Sequence, residues 1–473
     1  MDFSNIIFKR KFGMTMYKDQ KIALGKMSFA KDFVNDRRGD LYPVMEKSVD
    51  CSEKVECNQY IVESGTVSRM VFRFFPYASY EMTAEGAAGF VFVLPEGTAS
   101  VYCRDGMLTG SCADVEECVK LPDFIGKMWT MIVSCRPGSM DVYFRVNGKP
   151  EFVCTFQAGW LKEWNRQEIF SNGYAAVTVS GGTVLSAVSA YIDNGISQAD
   201  MRPIRYENGE LMVEQGKVYL TMSIRLQAEM MQGIFAWVPG TAELELTGAL
   251  FYDAGDGRWC GDVAASVLYH RREQRYYLWV CSFSHGHVLG HSVFDGDIRY
   301  GVNVVDIELM EKAPENADIT CFAGVEGDED PDFFYDEASG KWLMAVCRID
   351  PAVHGYRYIF FESDRPFDGY RYIGKGLDGA ETGGSFVRIN GEIHFVCGND
   401  FGATSDYRIY DKNGMQKAVF DYPDGGFRGW GTLMPVKLGS RTRYFWMTFD
   451  RHNGSGYNWS YGNIYVFEAE VTK

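Results

Sequence analysis

No run of about twenty apolar residues interrupts this sequence and no heptad repeat is sustained. Neither a membrane-spanning helix nor a coiled coil is therefore predicted, and no membrane partner is expected. Basic residues are in short supply: 47 Lys and Arg stand against 63 Asp and Glu, a net charge of −16. That balance argues against nucleic acid, whose phosphates demand the opposite sign. Proline is sparse, at 14 among 473 residues. The 12 cysteines include no Cys-x-x-Cys pair, which excludes a zinc ribbon and a thioredoxin-type site. P-loop and dinucleotide fingerprints are missing. The segment GGSFV around Ser385 is not a nucleophile elbow, because its Ser begins a strand hairpin rather than a strand-to-helix turn. The start, MDFSNIIFKRKFG, lacks the apolar core of a signal peptide, which predicts a cytoplasmic chain. A secreted or periplasmic chain whose leader had been removed would read the same.

What is abundant is aromatic side chains, 15% of the sequence, and glycine, with 51 residues. Both suit short strands and tight turns. Cys281, Cys347 and Cys397 fall inside apolar strand-like runs, where a thiol behaves as a small hydrophobe. From about residue 200 one pattern recurs at intervals of roughly fifty to sixty residues, the length of one propeller blade. Its aromatic-rich strands read KVYLTMS from Lys217, RYYLWVCS from Arg275, KWLMAVCR from Lys341, EIHFVCGN from Glu392 and RYFWMTFD from Arg443. Each follows a partner across a hairpin turn: GELMVEQG, ASVLYHRREQ, PDFFYDEASG, GSFVRING and TLMPVKLGS. The expectation is an all-β chain with a five-bladed propeller over 201–473. Its blades are expected near 202–260, 261–325, 326–378, 379–425 and 426–473. Residues 1–200 show alternating strands without that repeat, such as MVFRFFPYASYEM and MDVYFRVNG. They predict an antiparallel β-sandwich of jelly-roll or lectin-like type, with the boundary near 191–203.

The innermost strands of a propeller begin around one axis, so acids at those starts meet in space though distant in sequence. Asp262 opens the second blade. Asp328, Glu329, Asp330 and Asp332 open the third, and Glu381 opens the fourth. Arg202, Arg205 and Glu207 fall at the first blade and Arg428 and Trp430 at the fifth. Convergent carboxylates are the equipment of glycoside hydrolysis. One acid protonates the leaving oxygen, a second activates water or attacks, and a third raises the first one's pKa. Asp328 and Glu329 read as solvated loop charges. Asp332 shares Asp330's strand face and competes with it. Arg202, His287, Arg348, Arg428, Trp430, Arg451, Tyr457 and Trp459 are candidate sugar contacts. The segment HGHVLGH, with His285, His287 and His291, lacks standard zinc spacing and reads as sugar-contacting or inert loop histidines. No cofactor is required, although channel carboxylates are also the ligands of a structural calcium ion.

Two stretches carry a family resemblance. DPDFFYDEASGKWLMAV, with the later YRYIFFESDRPFDGYRYIG, and ETGGSFVRINGEIHFVCGND resemble blades of the five-bladed propeller glycosidases. That group comprises arabinanases, arabinofuranosidases and β-xylosidases, with invertases and levansucrases more distant. The resemblance covers about 200–473. It implies a glycoside hydrolase of a plant or microbial oligo- or polysaccharide, with an arabinofuranoside or xyloside as the weighted substrate. It also implies Asp262 as general base or nucleophile, Asp330 (or Asp332) as the orienting, pKa-tuning acid, and Glu381 as general acid. One departure stands out. The family's acids fall on its first three blades, whereas these fall on the second to fourth. Two rivals follow from the same residues. One is a polysaccharide lyase using His287, Arg348 and Tyr457. The other is a glycan-binding protein that needs none of the acids.

Overall fold

The computed structural model describes residues 3–23, 56–62, 66–112, 115–122, 127–157, 163–180, 183–310, 327–350, 355–376, 381–399, 407–421, 431–450 and 462–471. These are strand almost throughout, and Gln167–Phe170 forms a four-residue helix. The chain divides into two compact units. One comprises residues 1–16, 194–255 and 260–473; the other comprises residues 17–193 and 256–259.

The first unit holds five sheets, antiparallel except for one parallel edge pairing in each of three of them. Their first strands are Ser197–Pro203, Val263–His270, Asp328–Asp336, Glu381–Ile389 and Thr432–Leu438. Each neighbours the next, and the fifth returns to the first, so the five form a closed series. The second strands are Lys217–Arg225, Arg275–Ser282, Lys341–Asp350, Glu392–Asn399 and Arg441–Phe449. These are the five aromatic runs singled out in the sequence. Their alternate side chains fill the layers between sheets: Tyr219 and Leu278 in one, Trp279 and Met344 in the next, Cys347 and Phe395 beyond it. Cys281, Cys347 and Cys397 are fully buried, as expected of small apolar residues in such layers.

Two expectations are corrected. GELMVEQG is not the first strand of the first sheet. Ser197–Pro203 is; of GELMVEQG only Val213–Glu214 makes the expected antiparallel hairpin pairing with Lys217 and Val218, and Arg205–Tyr206 pairs in parallel with the second sheet. The first 200 residues also do not stay together. Ile6–Met14 pairs along its length with Ile464–Val471 as the outer strand of the fifth sheet. There Phe8 packs on Trp446 and Phe420. A ladder of backbone hydrogen bonds and a buried aromatic outweigh nearness in sequence.

The other unit is built from two antiparallel sheets. One runs Lys149–Gln157, Ser139–Val146, Met128–Arg136, Ser79–Glu85, Thr183–Asp193, Lys21–Ala23. The other runs Thr66–Arg73, Tyr174–Ser180, Ala88–Leu94, Gly97–Arg104, Met107–Cys112, Val115–Lys120. Tyr80 of the first meets Phe90 and Phe92 of the second, so aromatic faces are buried between them. Residues 256–259 belong here because Trp259 packs on Phe170, 4.5 Å between centroids, and its carbonyl accepts from Asn165.

Candidate active site

The first strands of the first four sheets share an irregularity. Pairing slips between Ala199 and Arg202, Val263 and Ser266, Glu329 and Asp332, and Thr382 and Ser385. Inside each slip one residue takes a left-handed backbone: Asp200 at φ 53°, Ala264 at 60°, Asp330 at 47° and Gly383 at 59°. A bulge of this kind turns a side chain away from the ladder, and a non-glycine residue there carries roughly 1–2 kcal/mol of strain. The bulges therefore set a common register. Asp200 is the counterpart of Asp330. Asp262 and Glu381 stand two residues earlier, in line with Gln198 and Asp328. Asp332 stands two residues later, in line with Arg202, Ser266 and Ser385. The three acids expected to act together thus come from two different positions.

At the earlier position the carboxylates are bound up in the protein. Asp328 forms a bidentate pair with Arg348, at 2.6 and 2.8 Å, with both side chains buried. The Nε and one terminal nitrogen of Arg348 are thereby engaged. Glu381 is fully buried and accepts from the Tyr410 hydroxyl, from Arg408 at 3.2 Å and from the Tyr358 N–H at 3.3 Å. Burial raises its pKa against the pull of those partners, and no carboxylate is among the groups that act most strongly on it. Asp262, buried too, accepts from Ser282 Oγ at 2.7 Å and the Ser284 N–H at 3.0 Å. Burial raises its pKa, which Ser282, Ser284 and His285 oppose.

Asp332 is a structural tie. Its carboxylate takes Arg205 at 2.5 Å, the Phe386 N–H at 2.6 Å and the Ser266 hydroxyl, which links the second, third and fourth sheets. These three bonds explain its full burial.

The bulge position is different. Asp200 is 3% exposed. Its Oδ2 accepts from Arg225 at 3.0 Å, and its Oδ1 has no hydrogen-bond partner among the described residues. Asp330, 5% exposed, accepts from Thr382 Oγ1 at 3.0 Å and the Gly383 N–H at 3.2 Å. Burial raises its pKa; Arg202 opposes the shift and Asp200 adds to it. Next to it the Glu329 side chain is 17% exposed. His287 Nδ1 lies 3.3 Å from its Oε1, and the Tyr356 hydroxyl lies 3.2 Å away. Burial first, and then the charge of Asp330, push Glu329 up to about 8, with Asp200 adding to the effect and Tyr356 opposing it. Both effects favour the protonated form of Glu329. Asp200, Glu329 and Asp330 form an electrostatically linked set, with Arg202, Arg225 and His287 around it.

Of the expected contacts, Arg202 and His287 belong to this set. The three loop histidines separate. His287 faces Glu329, His285 bonds Ser282, and His291 stacks on Phe367 at 4.8 Å. Arg428, Trp430, Arg451, Tyr457 and Trp459 lie outside the described residues. Asp200 and Arg225 were not singled out in the sequence, and Glu329 lies in a strand, largely buried, rather than in a solvated loop. The DEDP string was the signal for Glu329: an acid next to another acid in a strand that buries both cannot remain a solvated charge.

No protein-family model matches the chain, and no curated protein does. Among solved structures it is similar to glycoside hydrolases. Zg3597, a family 117 glycoside hydrolase of Zobellia galactanivorans, is 11% identical over 58% of this chain and 85% of its own, with a TM-score of 0.40. The α-L-arabinofuranosidase PaAbf62A of Podospora anserina, in complex with cellotriose, is 11% identical over 59% and 92%, at 0.38. A thermostable family-43 glycoside hydrolase is 12% identical over 58% and 90%, at 0.37.

Proposed function

We propose that this protein is a glycoside hydrolase. Its five sheets serve as the blades of a propeller, and its chemistry lies with Asp200, Glu329 and Asp330. The observation that carries the reading is the pair of matched bulges at Asp200 and Asp330, which bring a buried carboxylate with an unpartnered oxygen into one charged set with Glu329, whose pKa is pushed up to about 8. Asp200 Oδ1 receives the proton of the attacking water, with Arg225 holding the other oxygen. Glu329 protonates the departing glycosidic oxygen. Asp330 supplies the negative charge that, after burial, keeps the Glu329 proton in place. This gives the two carboxyl roles that glycoside hydrolysis requires. The resemblance in the sequence supports a terminal arabinofuranoside or related sugar of a plant or microbial glycan as substrate. The two-sheet unit serves as an accessory β-sandwich of lectin-like type. The lyase reading loses support, because Arg348 is occupied by Asp328.

Two results test the acid's role. With the proton leaving Glu329 near pH 8, kcat/KM is expected to hold through neutrality and to fall as pH rises through about 8. In Glu329→Gln, substrates with poor leaving groups should be nearly inert. Aryl glycosides with strongly acidic phenols, which need no protonation to depart, should retain much of their rate. A Glu329→Gln enzyme that lost both substrates equally, or neither, would remove Glu329 from the acid role.

A further inference from the structure

Apart from the carboxylates of the proposed site, one other cluster of reactive side chains lies in the second sheet. Cys260, Asp262 and His285 present a thiol sulfur, a carboxylate oxygen and a ring nitrogen within 4.8 Å of one another. The elements that hold them are short and fixed. Cys260 exchanges both backbone hydrogen bonds with Tyr252, and Asp262 directly precedes the Val263–His270 strand. His285 ends the turn Phe283–His285, which Gly286 closes in a left-handed conformation at φ 82°. Cys260 and Asp262 are buried, while His285 is half-buried.

Ser282 joins two members of the cluster. Its Oγ lies 2.7 Å from Asp262 Oδ2 and 2.8 Å from His285 Nδ1. A hydroxyl hydrogen-bonded to both a carboxylate and an imidazole is the kind of outer partner that orients metal ligands. Asp262 keeps further lone pairs after its bonds to Ser282 and Ser284. The fully buried Tyr252 hydroxyl, opposite Cys260 in the ladder, has no partner among the described residues.

We propose that Cys260, Asp262 and His285 are the protein ligands of a zinc ion, with Ser282 as the positioning residue. Zinc with bonds of about 2.0–2.3 Å holds tetrahedral ligand atoms roughly 3.5 Å apart, so the three close by about an ångström to seat it. The thiolate and imidazole select zinc over calcium or magnesium, which prefer all-oxygen sites. A water completes the fourth position. Bound zinc would pin the 282–288 turn to the start of the second sheet's first strand. None of the three zinc ligands is among the proposed hydrolytic residues, and the proposal does not depend on whether those act.

The test is made on the full chain, reduced, stripped with chelator and titrated with zinc, with metal content read by mass spectrometry. One zinc per chain is expected for the parent. Cobalt substitution should give a thiolate-to-cobalt charge-transfer band that disappears in Cys260→Ser. His285→Ala should abolish the stoichiometric site, and Ser282→Ala should weaken it by about 10–100-fold. Cys118→Ser, which alters an exposed thiol elsewhere, should bind as the parent does. Affinity should fall in acid as protons compete for the ligands. His285 lies on a half-buried turn, so His285→Ala carries the test if Cys260→Ser does not fold. A parent that retains no zinc at micromolar free metal would overturn the proposal. So would binding that is unchanged in both Cys260→Ser and His285→Ala.

Discussion

Replacing Asp332 by Ala is expected to destabilise the five-sheet unit by about 3–5 kcal/mol, the usual cost of removing one partner from a buried ion pair. The carboxylate is fully buried and joins three consecutive sheets through Ser266, Arg205 and the Phe386 N–H. Without it the Arg205 guanidinium stays in the interior uncompensated, and the Phe386 N–H loses its acceptor. A loss of that size is a large part of the roughly 5–15 kcal/mol that holds a typical domain together. Urea denaturation measures it as a lowered midpoint. The double variant Arg205→Met with Asp332→Leu should recover part of the loss, because apolar residues of similar volume can replace a buried pair with little cost. A single variant within about 0.5 kcal/mol of the parent would show that the tie between sheets carries no stability.

Asp200→Asn has the largest expected effect on chemistry. Asn keeps the shape and an oxygen for Arg225 but cannot take up a proton. Loss of a positioned general base typically costs about 10²–10⁴-fold. That loss should appear in kcat with KM little altered, and the melting temperature should stay close to that of the parent. Glu381→Gln should behave in the opposite way. It weakens the buried contacts to Arg408, Tyr410 and the Tyr358 N–H and so lowers stability, while the folded enzyme keeps its turnover. If instead Glu381→Gln abolished turnover in a fully folded protein and Asp200→Asn did not, the register assignment would be overturned.

The contrast between these two residues shows how far the sequence is legible. The second strands are plain in it, because an aromatic-rich run bounded by turn residues is a local signal. Four of the five first strands follow from their hairpins. The exception is the first sheet, where the segment between Pro203 and Lys217 separates the strand from its partner and drew attention to GELMVEQG. Asp200 was hidden with it. The bulges are the deeper reason why the expected triplet does not share one register position. A one-residue slip changes which acid faces the ladder and which faces out, and nothing in the alternation of polar and apolar residues marks where it falls. Counting from strand starts therefore grouped Asp262 and Glu381 with Asp330, whereas the common φ > 0 position groups Asp330 with Asp200. The pairing of Ile6–Met14 with Ile464–Val471 joins the two ends of the chain, and local pattern carries no information about so distant a partner.

The most direct test of the central reading is the chemical identity of the product. The parent protein would be incubated with a panel of arabinofuranosides, xylosides, galactosides and plant oligosaccharides, and products would be analysed by mass and by ultraviolet absorbance. The account predicts release of a sugar carrying the mass of one added water, with no absorbance from a new double bond, and loss of that release in Asp200→Asn and Glu329→Gln. An unsaturated uronate product, or sugar release that persists undiminished in both variants, would contradict it.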